Sequence, residues 1–540
     1  MGSSGRGPGS GSGHCAFGGP RWSSLTIALG GTADIMPLVE ESTLPADPPL
    51  TLPLVILGNG PSGICLSYML SGYRPYLSPD AMHPNPILNS KLEEARHLSI
   101  IDQDLEYLSE GLEGRSSNPV AVLFDTLLHP DADFGYNYPS VLQWKLEQQH
   151  YIPHLVLGKG PPGGAWHAME GSMLTLSLGD WMELPGLTFK EWIAGKRRNT
   201  KSDRATPEEI ASYYKQYVTI MGLQRNFVEN TYITSVSRLY RNQDVDELKH
   251  ASSQSLLSDI ESGLEIATKR NWEVCGYQRA ADGSHLPFCL FAECVALATG
   301  TFDSPARLEV EGEDLPFVYH SLPDFEVAIS RGTFNGNVDH VLIVGAGLTA
   351  ADAVLCAHNN KLPVIHVFRR HASDSGLIFK QLPKNLYPEY HKVYHMMCTQ
   401  SHTTASNLHS TYVSYPEHCV LSLRPDKKCV IQGASGLKVL KISVALILIG
   451  SHPNLFFLKE QGQSIGHIPH QPISCKGNPV HINPYTYEAT KEPNLFALGP
   501  LVGDNFIRFL KGGALGITRC LEVRKNKKKL NVDSEVVDNV

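Results

Sequence analysis

Two groups of small residues have the types and spacing needed to cradle phosphates. The first lies in Leu54–Leu66, where an apolar run meets Gly58, Gly60, Pro61, Ser62 and Gly63 before a second apolar run. This reads as strand, tight turn and helix. Gly58 allows the turn, Gly60 lets the backbone approach a pyrophosphate, Gly63 lets the helix pack on the strand, and the helix N-terminus faces the phosphates. The second lies in Val341–Val354, where Gly345, Gly347 and Ala350 repeat the device with alanine in the last place. One such pattern is a weak signal. Two copies about 290 residues apart predict two dinucleotide sites, ordinarily one for a flavin and one for a nicotinamide.

The strand after the second turn, Val364–Phe368, ends in Arg369 and Arg370, 24 and 25 residues beyond Gly345. A dinucleotide fold meets the adenosine 2′ position there, and guanidinium groups clamp a 2′-phosphate, so NADPH is expected over NADH. The plain alternative is a solvated basic strand end. The corresponding strand for the first turn, His154–Leu157, runs into Gly158 and Lys159. No acid stands there to hold a ribose, so another residue must supply it or the contact is lost. Ala298-Thr299-Gly300 is a turn that brings backbone close to a nucleotide. The strand after Asn494 leads to Gly503 and Asp504, a place from which a carboxylate can hold a ribityl hydroxyl of FAD.

These residues need a sizeable scaffold. The chain has 540 residues, 42% hydrophobic and 19% charged, enough for two or three globular domains. Lysine and arginine number 46 against 54 acidic residues, a net charge of −8, which argues against nucleic acid as a partner. Eleven cysteines without a Cys-x-x-Cys pair argue against zinc and against a flavin-linked dithiol reductase, and for a reducing, cytoplasmic setting. The 23 histidines show no metal-ligand spacing, so no metal is expected. No run of 18 apolar residues predicts a transmembrane segment. The N-terminus lacks the regions of a secretory signal, and Arg6 stands where a myristoylation motif needs Ser or Thr.

The expected fold class is α/β with two Rossmann-like dinucleotide-binding domains, a discontinuous FAD domain with an NADPH domain inserted in it. Residues 1–49 are Gly- and Ser-rich and expected to be disordered, with Met36 a candidate second start. Residues 50–334 and 441–525 are expected to form the FAD domain, 335–440 the NADPH domain, and 526–540 a polar tail. Residues 72–150 read as an insertion beside the sheet, either structural or a surface for a substrate or protein partner. Within it, one or two helices are expected over 92–112 and another over 139–149. Thr206, with Glu208 and Glu209, predicts a capped helix over 207–218. Strands are expected over 232–240, 272–278, 288–297 and 445–450, a mobile loop over 244–263, and a closing helix over 511–521.

Taken in order, Gly58-x-Gly60-x-x-Gly63, Gly163-Gly164-x-Trp166, Ala298-Thr299-Gly300, Gly345-x-Gly347-x-x-Ala350 and Gly503-Asp504 resemble the flavin-containing monooxygenase superfamily across residues 50–525. The stretches 158–167 and 498–505 resemble more closely the oxidative-stress-induced growth inhibitor family. The resemblance implies Gly163, Gly164 and Trp166 as further FAD contacts, O2 as a co-substrate, and a small-molecule or protein substrate. It implies that NADPH reduces the flavin and that O2 then adds to it as a C4a-hydroperoxide, which the protein keeps dry. It also implies roles in growth control, differentiation and germ-cell maturation, including meiosis. Two departures stand out. Leu176, in Thr175-Leu176-Ser177, replaces the superfamily asparagine that contacts flavin and substrate. His320 sits in a shortened Phe317-Val-Tyr-His320 motif that has lost its glycine. Ser177 and His320 remain as catalytic candidates, with a linker hydrogen bond as the alternative role for His320. Two readings follow: an active FAD- and NADPH-dependent monooxygenase, or a regulatory protein on a flavoprotein scaffold that senses NADPH or binds partners.

Overall fold

The computed structural model describes residues 51–169, 174–194, 203–239, 271–334, 339–400 and 411–537. The expectations for 1–49 and for a mobile loop over 244–263 lie outside the described residues. The chain enters on β1 (Thr51–Leu57), whose Leu54–Leu57 segment is fully buried, and turns into α1 (Pro61–Leu70). Pro61 takes the first helical position, where its missing N–H has no bond to lose. Every later residue of α1 is buried, as expected of an apolar helix enclosed on all sides.

The insertion differs from its sequence reading. Tyr73–Leu77 pairs antiparallel with Leu142–Leu146, so the helix expected over 139–149 is a strand followed by one 3-10 turn. The reason is period two: Leu142, Trp144 and Leu146 alternate with Gln143 and Lys145. Trp144 packs on Tyr68 at 5.2 Å and Phe124 at 6.3 Å. Of the one or two helices expected over 92–112, one begins earlier, at Pro86, where Asn85 caps Ile87 and Leu88, and ends at Glu94; a 3-10 turn follows at Ile100–Asp102 and a short α-helix lies at Leu105–Ser109. Then comes α2 (Pro119–Leu128).

The first sheet continues with β2 (His154–Leu157). After α3 (Pro207–Ile220) come β3 (Phe227–Val228), β4 (Thr231–Arg238), β5 (Trp272–Arg279) and β6 (His285–Leu297). Thr206 and Glu209 close α3 with a reciprocal capping box. The strand order is β3-β2-β1-β6-β5-β4, parallel as far as β6 and antiparallel beyond it.

The chain then builds a second sheet from β7 (Val318–Tyr319), β8 (Val341–Val344), β9 (Val364–Phe368), β10 (Tyr412–Pro416) and β11 (Val444–Ile447). It is wholly parallel, in the order β7-β11-β8-β9-β10. Val341 and Ile343 face one apolar cluster with α4 (Leu322–Ser330), α5 (Leu348–Asn359) and α6 (Pro388–Thr399). Leu342 and Val344 face another, under a three-stranded antiparallel sheet over 419–441. Finally β12 (Leu495–Ala497) returns to pair with β6 in the first sheet, and α7 (Ile507–Val537) closes the chain. The helix expected over 511–521 thus runs from Ile507 through the expected tail to Val537.

α7 fastens the insertion through buried charge. Arg508 donates to Asp125 at 2.8 and 2.5 Å and to Asp133 at 3.0 Å. Arg74, fully buried, pairs with Glu522 and Asp102, each at 2.5 Å. The insertion is therefore integral to the first core, whose apolar cluster includes Leu88, Ile100, Leu123 and Phe124. No helix among the described residues is long and apolar enough to cross a membrane.

Candidate functional site

The two glycine turns share one geometry. Gly58 has φ +110°, and a Cβ on it would lie 2.3 Å from the Ala298 carbonyl oxygen; Gly345 has φ +131°, and a Cβ would lie 2.2 Å from the Leu448 carbonyl oxygen. Each turn therefore needs glycine both for its backbone and for the strand end pressed against it. Gly60 and Gly347, the residues that precede α1 and α5, face open space with nothing within 4 Å of a Cβ. No side chain caps either helix, so the N–H groups of the first turns are left for an anion. Gly63 is packed so closely that a Cβ would meet the Gly58 carbonyl oxygen at 2.1 Å, and Ala350 takes the matching buried place in the second turn.

A cavity of about 600 Å³ opens on the first turn. Gly58, Gly60, Pro61 and Ser62 line it from β1 and α1, Gly164 and Trp166 from the loop after β2, and Ala298, Thr299 and Gly300 from the end of β6. Gly163 supports it from behind: its N–H donates to the Asn59 carbonyl at 2.9 Å, and a Cβ on Gly164 would lie 3.0 Å from Gly60 Cα. Asn59 was not singled out by sequence. Its amide donates to the Gly160 carbonyl at 2.6 Å, and its side chain fills the space where a Cβ on Gly158 would lie. It bolts the two loops together, a pairing that no local pattern announces.

The structure also places a carboxylate that the sequence reading lacked. Asp303 is the one acid lining this cavity among the described residues, and it pairs with Lys159 at 3.3 Å. Thr299 Oγ1 is buried without a hydrogen-bond partner. An open glycine cradle, an orphaned hydroxyl and a rim carboxylate form a donor and acceptor set that fits a dinucleotide.

Other expected residues lie elsewhere. Gly503 adopts φ +93°, but neither it nor Asp504 lines the cavity. The Asp504 carboxylate is buried and accepts from Ser116 at 2.6 Å and Tyr487 at 3.2 Å. Burial pushes it up to about 6. It braces the insertion rather than facing the cavity, whereas Asn505 next to it does line the space. His320 is also outside: Nε2 bonds Glu313 at 3.0 Å, and Glu313 accepts from the Leu308 and Glu309 N–H groups. That is the linker role. Ser177 offers its carbonyl to Thr175 Oγ1 at 2.6 Å and does not line the cavity. Leu176 packs on the apolar cluster of the second sheet, and its carbonyl accepts from Tyr387 at 2.5 Å.

At the second turn, the Gly345 N–H donates to the Val367 carbonyl at 3.0 Å, so the end of β9 adjoins the glycines. Arg369 and Arg370 follow directly and are exposed; Arg370 lies 3.6 Å from Asp374. His366 supports the turn from beneath. Its Nε2–H donates to the Gly345 carbonyl at 2.6 Å, and Nδ1 accepts from Tyr412 at 2.8 Å. Burial lowers it to about 4, so the ring is neutral. A larger cavity of about 830 Å³, among α4, α5 and α6, contains none of the glycine-turn residues.

No family model matches the chain. It is 72% identical over 499 residues to oxidative stress-induced growth inhibitor 2 of Homo sapiens, covering 92% of this chain and 98% of that protein. It is 50% identical over 479 residues to oxidative stress-induced growth inhibitor 1 of Homo sapiens, covering 88% and 96%. Among solved structures, an ornithine N-hydroxylase of Kutzneria sp. 744, described as an FADred–NADP+–L-orn complex, superposes with TM-score 0.52 at 12% identity, covering 88% and 100%. The bacillithiol disulfide reductase of Bacillus cereus gives TM-score 0.52 at 14% identity, also covering 88% and 100%. At these identities the likeness is one of fold: an α/β protein with two Rossmann-like units.

Proposed function

The chain belongs to the oxidative stress-induced growth inhibitor family, and on that premise we propose that it is an FAD- and NADPH-binding oxidoreductase of the monooxygenase type. The observation that carries this reading is the repeated turn. Gly60 and Gly347 each leave open space before an uncapped helix, on two separate sheets. In this reading residues 50–334 and 441–525 form the flavin unit and 335–440 the nicotinamide unit. Gly58–Ser62 hold the FAD pyrophosphate, the orphaned Thr299 hydroxyl bonds the nucleotide, and Asp303 takes the part of the missing ribose acid. Arg369 and Arg370 receive the 2′-phosphate of NADPH. Trp166, Phe457 and Leu510 give the cavity apolar walls, the lining that a water-sensitive flavin intermediate needs. A bound flavin supplies hydride acceptance and activation of O2 for transfer to a small-molecule or protein substrate.

A second reading has its own observations. Leu176 is turned into the second apolar cluster, and Phe134, Tyr136 and Tyr138 are 81%, 56% and 46% exposed on the insertion. Those aromatics suit a protein partner of a regulator that binds nucleotide without turnover. The names of the relatives join growth inhibition to oxidative stress, and in either reading we carry growth regulation, in the cytoplasm, to this chain. The test is NADPH consumption by the FAD-reconstituted protein under air. The enzyme reading expects NADPH oxidation coupled to oxygen uptake and a slower rate with NADH. Nucleotide binding without turnover selects the regulator.

A further inference from the structure

No Cys-x-x-Cys pair exists in the sequence, yet the fold brings two cysteines together. Cys275 on β5 and Cys289 on β6 are direct partners in the antiparallel register. Directly opposed residues point to the same face with Cα atoms about 4.5–5.5 Å apart, inside the range that a disulfide spans. Their Sγ atoms lie 2.6 Å apart, and both thiols are free and half-buried. On the opposite face Val274, Phe288 and Leu290 are buried, so the sulfurs stand on the outer side of the sheet.

We propose that Cys275 and Cys289 form a reversible cross-strand disulfide, an oxidisable site on the outer face of the sheet. Along β6 the pair stands nine residues before Ala298, but the neighbouring β4 brings the cavity's edge closer: Ile233 lines the cavity and pairs with Gly276, next to Cys275.

The oxidant is a peroxide, ROOH. The Cys275 thiolate attacks its O–O bond, ROH leaves with one proton, and Cys275 becomes a sulfenic acid. The Cys289 sulfur then attacks Cys275 Sγ; the S–S bond forms, the S–O bond breaks and water leaves. Two thiols are oxidised by two electrons, and the peroxide is reduced by two. An external dithiol reverses the change by exchange. Burial, the hydrogen bond shared with Cys275 and the nearby Glu273 carboxylate all push the Cys289 thiol up. Cys289 therefore stays a thiol until the sulfenic acid forms, and its proton then leaves with the departing hydroxyl as water.

Glu273, Cys275 and Cys289 also place three metal-ligating atoms within 4.8 Å of one another. A tetrahedral zinc with bonds of about 2.3 Å to sulfur holds its two sulfurs about 3.8 Å apart, wider than the 2.6 Å separation here. The disulfide is the better fit.

The experiment treats the full chain with hydrogen peroxide, alkylates the remaining thiols and maps tryptic peptides. Cys275 falls in Asn271–Arg279, and Cys289 in Ala280–Arg307. The buried Cys294 shares the second peptide as an internal control. The expected result is a linked peptide pair lacking two hydrogens, which dithiothreitol separates. In C289S, dimedone is expected to label Cys275 instead. Both cysteines alkylated after peroxide, or each oxidised singly without a link, overturns the proposal. So does stoichiometric zinc that survives dialysis and protects both thiols from alkylation. The wild-type map stands whether or not the variant folds.

Discussion

Replacing Gly60 with alanine adds one methyl group at a point where the protein has nothing within 4 Å. The backbone there is ordinary, with φ −71° and ψ −178°, so alanine fits without strain. Alanine at a helix N-cap costs about 0.5–1 kcal/mol relative to glycine. The stiffer unfolded chain returns about 0.4–1 kcal/mol. The two terms offset, and the melting temperature should stay close to wild type. A pyrophosphate seated on this turn would meet the methyl group directly. Overpacking of that kind costs about 1–3 kcal/mol, which is roughly 5- to 150-fold in FAD affinity. Gly63 is the contrasting position: its Cβ would lie 2.1 Å from the Gly58 carbonyl oxygen, so Gly63→Ala should damage the fold itself. The assay pairs FAD titration of apoprotein, followed by flavin fluorescence, with thermal unfolding of the same samples. Unchanged FAD affinity in a well-folded Gly60→Ala protein would refute the placement of the pyrophosphate.

Three other variants probe separate parts of the account. Arg369→Ala combined with Arg370→Ala should weaken NADPH about 10- to 100-fold and NADH much less, since charged hydrogen bonds contribute about 1.5–3 kcal/mol; equal loss for both nucleotides contradicts the 2′-phosphate assignment. Arg508→Ala leaves Asp125 buried without its partner. Urea unfolding should show a loss of about 3–5 kcal/mol, and a loss under 1 kcal/mol would mean that α7 does not fasten the insertion. His366 tests pH dependence: folded it takes a proton at about 4, against an ordinary value of 6.5. Between those values the unfolded state binds a proton that the folded state refuses, so its contribution to stability is present above pH 6.5 and lost as pH falls toward 4. The loss is up to about 3 kcal/mol. Relative to wild type, His366→Gln should therefore gain stability as pH drops through that window, and parallel urea midpoints from pH 7 to 4.5 would contradict it.

What could be read from sequence was local. Both glycine turns were legible because strand, turn and helix follow one another within a dozen residues, and Thr206 with Glu209 announced a capped helix that the structure contains. The strand Leu142–Leu146 carries its own signal, an apolar residue at every second position, inside a stretch over 139–149 expected to be helical. The rest depended on distant partners. Asp504 looks like a ligand-facing acid until Ser116, 388 residues away, is seen to occupy it. Asp303 becomes the cavity's acid only when the end of β6 is placed beside Lys159. Cys275 and Cys289 meet through strand register, which spacing in the chain does not reveal.

The central claim is that the two glycine turns hold a flavin and the nicotinamide that reduces it. The most direct measurement is the visible absorbance spectrum of FAD-reconstituted protein, recorded anaerobically before and after one equivalent of NADPH. The account predicts a bound-flavin band that NADPH bleaches and air restores. A protein that takes up no flavin, or a bound flavin that NADPH leaves oxidised, would contradict it.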